Sequence, residues 1–594
     1  MGWVNKRHCA LALLAISLLL APVVAAQSNP GAGLPGTIPA QFPQLVDITS
    51  STGIQFNHLS SPEAKYIVES MSGGVALIDY DRDGYPDIYF TNAQSVEMAL
   101  AGKKAKGALF HNNHDGTFSD VTDKAGVGYP CWGQGAVVGD YNNDGWPDLL
   151  VTCFGGVVLY RNNGDGTFTD VTKQAGLGGD TGWAMGATFG DYDGDGWADL
   201  FVSDYVDFHL DDLPRFGSSK TCKYHGIDVQ CGPAGLKGYR DYLFHNNGDG
   251  TFTDVAQKAG VDDAKGQFGL TSVWTDIEGN GRPDLLVTND GEPNYLYRND
   301  GSGHFTEVAE DAGVAVNQDG LEQANMGVAI GDYEHMGRFS ILISHFSEQY
   351  AALFRNDGGL NFTDASYTAG IAPSTRSIVG WGNAFADLDN DGWVDYFMVD
   401  GHVYPQVNTA GIGTKYREPK LLFQNLHDGT FRNISNLVGP AIQTPQVSRG
   451  LAAGDLFNDG HMELVVENLD GEPMILRPEG GPRNHWLSLS LQGTRSNRLT
   501  LNARVRVTAG DLVQTDEVRS GGSYLSQHDL RLHFGLAAHD HVDKVEIFWP
   551  SGVTETLTQL AADRLYTLTE GKGITASQPA NLNVHFKADI EAQP

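Results

Sequence analysis

The chain has 594 residues, too many for one ordinary domain of roughly 100–200 residues. Asp and Glu number 73 against 39 Lys and Arg, a formal net charge of −34, so the surface is short of the basic residues a nucleic-acid groove needs. Charged residues are only 19% and hydrophobic residues 41%, which excludes wholesale disorder, while 74 glycines point to many tight turns.

Lys6, Arg7 and His8 precede an apolar run from Cys9 to Leu20, and Val24-Ala25-Ala26 supplies small residues for cleavage. Residues 1–26 are therefore predicted to be a secretory signal, with an uncleaved membrane anchor as the alternative. Residues 27–41, rich in Pro, Gly and Ala, are expected to be a linker. No later stretch approaches the ~20 apolar residues of a membrane span, which points to a secreted protein, extracellular or periplasmic. Among the four remaining cysteines, Cys222 with Cys231 is the favoured disulfide, and Cys131 with Cys153 the second.

A nine-residue acidic pattern then recurs seven times: DYDRDGYPD at 79–87, DYNNDGWPD at 140–148, DYDGDGWAD at 191–199, DIEGNGRPD at 276–284, DYEHMGRFS at 332–340, DLDNDGWVD at 387–395 and DLFNDGHME at 455–463. Each copy lies between a small-residue apolar strand and a β-branched or aromatic one, and an Asn/Asp/Gly hairpin follows. Each unit thus predicts about four short antiparallel strands. A Phe-x-Asp-type strand follows the first six copies, at Phe118, Phe168, Phe252, Phe305, Phe362 and Phe431. The seventh copy lacks it, and an orphan stands before the first, from Phe42 to Thr49. A ring closed by the N-terminal strand explains both anomalies and removes exposed sheet edges. The expected fold is all-β: a seven-bladed propeller over 42–478, with an insertion at about 205–240. Small residues five positions before each copy (Gly74, Gly135, Gly186, Thr271, Gly327, Gly382 and Gly450) suggest close backbone approach near the ring axis.

Within a copy, positions 1, 3, 5 and 9 offer side-chain oxygens, position 7 a carbonyl, and Gly at 6 a sharp turn. That donor set suits Ca²⁺, which takes six to eight oxygen ligands. Five sites are predicted. They comprise Asp79, Asp81, Asp83, Tyr85 and Asp87; Asp140, Asn142, Asp144, Trp146 and Asp148; Asp191, Asp193, Asp195, Trp197 and Asp199; Asp276, Glu278, Asn280, Arg282 and Asp284; and Asp387, Asp389, Asp391, Trp393 and Asp395. Loop 5, with Met336 and Ser340, is expected to be empty, and loop 7, with Phe457 at position 3, is a poor site.

DYDGDGWAD with its flanking strands resembles the FG-GAP/VCBS repeat of integrin α-type calcium-binding propellers. The segment from Asn484 to Gly510, with GGSYLSQHDLRLHFGL and VEIFWPSG, resembles the ASPIC/UnbV domain, although Asn502 stands where that family usually has Gly. Together they are similar to the secreted family that includes cartilage acidic protein. The resemblance implies calcium in loops 1–4 and 6, and a small β domain over 482–572, followed by a tail over 573–594.

Outside the loops the chemistry is sparse. Cys222-x2-His225-x5-Cys231 could hold Zn²⁺, though a disulfide is preferred. Trp132, Trp183, Phe268 and Met71 could rim a channel mouth, with core packing as the simpler reading. His402, near Asp400, is a possible acid or base but forms no constellation. The leading function is a secreted calcium-binding scaffold for adhesion or for binding an extracellular protein or glycan, without enzymatic activity. The alternative is a polysaccharide-acting hydrolase or lyase at the channel mouth.

Overall fold

Each acidic nonapeptide forms the turn between the first two strands of a four-stranded antiparallel sheet. The computed structural model describes residues 42–584 apart from Pro62, Asp180, Thr181 and Asn583. The signal and linker expected over 1–41, and the chain beyond Val584, lie outside the described residues.

Sheet 1 consists of Val75–Ile78, Asp87–Phe90, Ala108–Asn112 and Phe118–Asp120 in that order. Sheets 2 to 6 repeat it, opening with Trp132–Gly139, Ala184–Gly190, Gly269–Thr275, Val328–Gly331 and Gly380–Ala386. The first two strands of each sheet are covered on both faces, so stretches such as Asp148-Leu-Leu-Val-Thr-Cys153 are buried throughout rather than alternating. Sheet 7 opens with Ser448–Gly454 and takes its fourth strand from the other end of the chain: Gln44–Asp47 pairs antiparallel with Met474–Glu479. Leu45 faces Pro478 as Phe118 faces Asn112 in sheet 1. Leu45, not Phe42, therefore occupies the repeat's aromatic position.

First strands of successive sheets pack on one another. Val75–Ile78 touches both Trp132–Gly139 and Ser448–Gly454, bringing sheet 1 against sheets 2 and 7. The small residues on these strands are required by that approach. A Cβ at Gly186 would lie 2.2 Å from the Leu270 carbonyl oxygen, and one at Gly382 would lie 2.6 Å from that of Arg449.

The insertion predicted at 205–240 connects the second and third strands of sheet 3 and carries a short hairpin, Lys223–Tyr224 with Ile227–Asp228. Cys222 is bonded to Cys231 beside it, and Cys131 to Cys153 in sheet 2, so both expected disulfides are present.

The C-terminal domain packs two further four-stranded sheets, built around His485–Gln492 with Arg564–Thr569, and around Arg504–Ala509 with His541–Phe548. The strand Gly573–Pro579 extends the first of these, so the tail does not begin at 573 as predicted. Its residues are exposed and mostly polar, and so carry no apolar alternation to mark a strand. The domain shares a core with sheets 2 and 3, where Val137, Phe189, Leu489 and Val505 belong to one cluster. Its segment 520–527 also enters among the first strands. There Ser523 bridges Val328 and Gly521 bridges Val273, while the Tyr524 hydroxyl donates to the Met71 carbonyl at 2.6 Å.

Candidate metal centre

The acidic loops share one hydrogen-bonding scheme. In loop 2 the carboxylate of Asp140 accepts the Asp144 and Gly145 N–H groups at 3.2 and 2.8 Å. Asp191, Asp276 and Asp387 accept the equivalent pair in loops 3, 4 and 6. Gly at position 6 is left-handed in every case, with φ of 90° at Gly84 and 89° at Gly145, a conformation a Cβ would strain. The position-5 side chain accepts the backbone N–H of Tyr85, Trp146, Trp197, Arg282 or Trp393, fixing the direction of the position-7 peptide. At position 9, Asp87, Asp148, Asp199, Asp284 and Asp395 reach out of the loop to the backbone N–H of a hairpin Asn.

These loops concentrate charge where it is poorly tolerated. Ligand atoms of Asp79, Asp81 and Asp87 lie within 4.8 Å of one another, as do those of Asp191, Asp193 and Asp195, and of Asp387, Asp389 and Asp391. Burial, with repulsion from Asp83, pushes Asp79 up to about 7. Burial likewise raises Asp87, Asp140, Asp191, Asp199, Asp284 and Asp389 to about 7. Asp79 Oδ1, Asp81 Oδ1 and Asp284 Oδ2 are buried without a hydrogen-bond partner. Oxygen-rich, crowded and partly unsatisfied, this donor set fits a hard divalent cation. In loops 2 and 4 an amide lowers the charge instead: Asn142 donates to Asp144 and Asn280 to Glu278.

Loops 5 and 7 depart from the scheme in different ways. Loop 5 keeps the position-1 bonds through Asp332, but Ser340 replaces the position-9 carboxylate and accepts the Asn356 N–H through its hydroxyl. Loop 7 has its carboxylates, Asp455, Asp459 and Glu463, yet carries its own cation. The Arg477 guanidinium donates to Glu463 and, at 2.6 Å, to Asp459, and lies 5.6 Å from the Phe457 ring. Phe457 thus serves as a face for the guanidinium where the other loops offer an oxygen.

Several partners escape a reading of the loops alone. The hairpin Asn residues also staple neighbouring sheets. Asn162 donates to the Tyr80 carbonyl of sheet 1, Asn246 to Tyr141 of sheet 2, and Asn112 to Leu456 of sheet 7, each at 2.7 Å. The Asn after His, Arg or Gln at the end of the third strand in sheets 1 to 6 is the sequence signal that could have revealed them. His111 lies 3.1 Å from Asp87, His245 3.2 Å from Asp199, and His427 2.8 Å from Asp391. Position-4 side chains join adjacent loops: Asn143 reaches Gly196, Asn390 reaches Gly460, and Asn458 reaches Gly84. The same loops support the C-terminal domain, through Arg498 on Asn143 and His533 on Asn390.

The other candidates settle as packing. Trp132, Trp183, Phe268 and Met71 are all buried, so they pack in the core rather than standing free as stacking platforms. His402 is fully buried, and burial with the nearby Arg449 lowers it to about 3, so it stays neutral and reaches no solvent. Its neighbours Asp400 and Glu418 are buried as well. His225 lies 3.1 Å from Glu348, while the flanking cysteines are spent on their disulfide.

Acidic nonapeptides that join the first two strands of each of several successive four-stranded sheets define an FG-GAP-type repeat protein with a propeller fold. The FG-GAP-like repeat model matches residues 79–151, 140–202 and 276–343, and the ASPIC and UnbV model matches 493–575. The chain thus combines FG-GAP-like repeats with an ASPIC and UnbV domain. It is 26% identical to human cartilage acidic protein 1 over 313 residues, covering 50% of this chain and 43% of the relative. For the Xenopus tropicalis protein the figures are 23% over 309 residues, 50% and 44%, so the match spans less than half the length of these relatives. Among solved structures, the BP39L lectin from Burkholderia pseudomallei aligns with 9% identity, over 69% of this chain and 97% of its own, at a TM-score of 0.41. An Agrocybe aegerita lectin aligns with 17% identity, over 68% and 87%, at 0.35.

Proposed function

We propose that the chain is a secreted, calcium-stabilised, seven-bladed propeller closed by Gln44–Asp47, acting as a scaffold that binds an extracellular protein or glycan. The observation that carries this reading is the contrast between loops in one framework. Loop 7 holds the Arg477 guanidinium among its carboxylates, whereas in loops 1, 3 and 6 carboxylates of the same kind converge, among the described residues, with a histidine beside them (His111, His245 or His427) instead of a guanidinium. Ca²⁺ would be held by the side chains at positions 1, 3, 5 and 9 and the carbonyl at 7, in loops 1–4 and 6, and would supply charge compensation and order. Ring closure is supported by bonds from sheet 7 to sheet 1 of the kind that join the other sheets, such as Asn458 to Gly84. The two disulfides suit an oxidising compartment. A binding role is supported by the burial of His402, Asp400 and Glu418, which leaves no titratable cluster there in contact with solvent.

Calcium titration by calorimetry, with melting curves in Ca²⁺ and in EDTA, tests the metal assignment. Saturable binding and a raised melting temperature are expected; identical melting curves with no heat of binding would overturn it. A glycan array and a pull-down of extracellular proteins, each run with Ca²⁺ and with EDTA, test the scaffold, which expects a ligand retained only with Ca²⁺.

A further inference from the structure

A cavity of about 180 Å³ lies on the side of the first strands away from the acidic loops, and residues from seven separate parts of the chain build it. Its apolar walls are Met71, Met326, Phe346, Trp381 and Tyr404, and a single carboxylate, Asp290, borders it. The wall nearest the insertion is Gln230, Gly232 and Pro233, fixed beside the Cys222–Cys231 bond. The irregular part of the repeat array thus completes this cavity. Asp290 is held in place by the Tyr205 hydroxyl, which donates to its Oδ2 at 2.5 Å. Its residue is 8% exposed, so its charge faces a largely dry, aromatic space.

We propose that this cavity is a binding site for an ammonium group, either a small free amine or a lysine side chain, with Asp290 as counter-ion and Phe346 and Tyr404 as its aromatic walls. A cation beside a buried carboxylate regains the Coulomb energy that burial denies the carboxylate alone. Ring faces add attraction for a cation within about 6 Å. Phe346 and Tyr404 have ring centroids 6.0 Å apart with planes at 63°; both also pack on Tyr224 and His402, and the ring surface left over borders the cavity. Trp381 already stacks with the Arg449 guanidinium, 3.8 Å from its ring centroid, so its face is taken and it closes the cavity by shape. The volume admits a methylated or primary ammonium and a few carbons, and is small for a hexose.

The test titrates the full-length, calcium-loaded protein with tetramethylammonium, with Nα-acetyl-lysine amide, and with neutral 3,3-dimethyl-1-butanol, by calorimetry and saturation-transfer NMR. Saturable binding of either cation, with the neutral isostere at least tenfold weaker, is expected. Tighter binding of the acetyl-lysine amide points to a side chain, and tighter binding of tetramethylammonium to a free amine. Asp290→Asn should lower cation affinity by about tenfold or more, and Tyr404→Leu by several-fold. Melting curves of both variants, compared with the parent, separate loss of the site from loss of the fold. Absence of cation binding, equal binding of the neutral probe, or full affinity in a folded Asp290→Asn protein would each overturn the assignment. Calcium binding by the acidic loops is read separately, so failure here leaves that reading intact.

Discussion

Replacing Arg477 with Met removes the cation of loop 7 while keeping a long apolar stem. The Arg477 side chain is 5% exposed, and its partners Glu463 and Asp459 are 0% and 7% exposed. Deleting one member of a buried ion network typically costs about 3–5 kcal/mol, because the remaining charges lose compensation in a poor solvent. The whole of that range applies here. Glu463 is left with the Leu456 N–H, and Asp459 with His461 and backbone N–H groups, at the seam where Gln44–Asp47 joins the last sheet. Urea unfolding of parent and R477M in EDTA, followed by tryptophan fluorescence, measures the loss. Added Ca²⁺ should restore only part of it, since Phe457 still withholds an oxygen at position 3. A change below about 1 kcal/mol in EDTA would refute the idea that Arg477 stands in for a metal, because an exposed ion pair costs up to that much.

Acid–base behaviour gives a second expectation. Without metal, Asp79, Asp87, Asp140, Asp191, Asp199, Asp284 and Asp389 are raised to about 7 in the folded state, above the ~3.9 of an unfolded Asp. Their contribution is complete below pH ~4 and lost as pH rises through about 7. In EDTA the urea midpoint should therefore fall between pH 5 and 8, whereas saturating Ca²⁺ should abolish the fall; parallel profiles would contradict it. Tyr524→Ala removes the hydroxyl bond to Met71 and an edge contact 4.7 Å from Trp381. It should cost about 3–5 kcal/mol, and an unchanged urea midpoint would show that segment 520–527 does not brace the first strands. Gly382→Ala places a methyl 2.6 Å from the Arg449 carbonyl oxygen, where overpacking costs roughly 1–3 kcal/mol or more. Normal yield and melting of that variant would dismiss the crowding argument.

Much of the site was legible because its constraints are local. A nonapeptide can bend its own backbone onto its first carboxylate, as Asp140 does with Asp144 and Gly145, so the ligand pattern and the glycine are written together. The phase of the repeat was legible too, since a missing strand at one end and a spare one at the other imply pairing between them. At the repeat's aromatic position the spare strand carries Leu45 where the other sheets carry Phe. Arg477 was missed. It lies 14 residues after Glu463, and only the return of the chain in the next strand carries it into the loop.

The sequence by itself determined the repeat unit, the sheet content, the donor pattern of loops 1–4 and 6, the two cysteine pairs and the existence of a C-terminal β domain. All of these follow from periodicity and turn chemistry within some tens of residues. Only the tertiary structure decided where that domain sits, that its segment 520–527 enters among the first strands, and that Trp132, Trp183 and His402 are core. It also decided that Asp290 faces an aromatic cavity assembled from seven parts of the chain. Those outcomes depend on which distant surfaces exclude water from one another, and no local pattern encodes that.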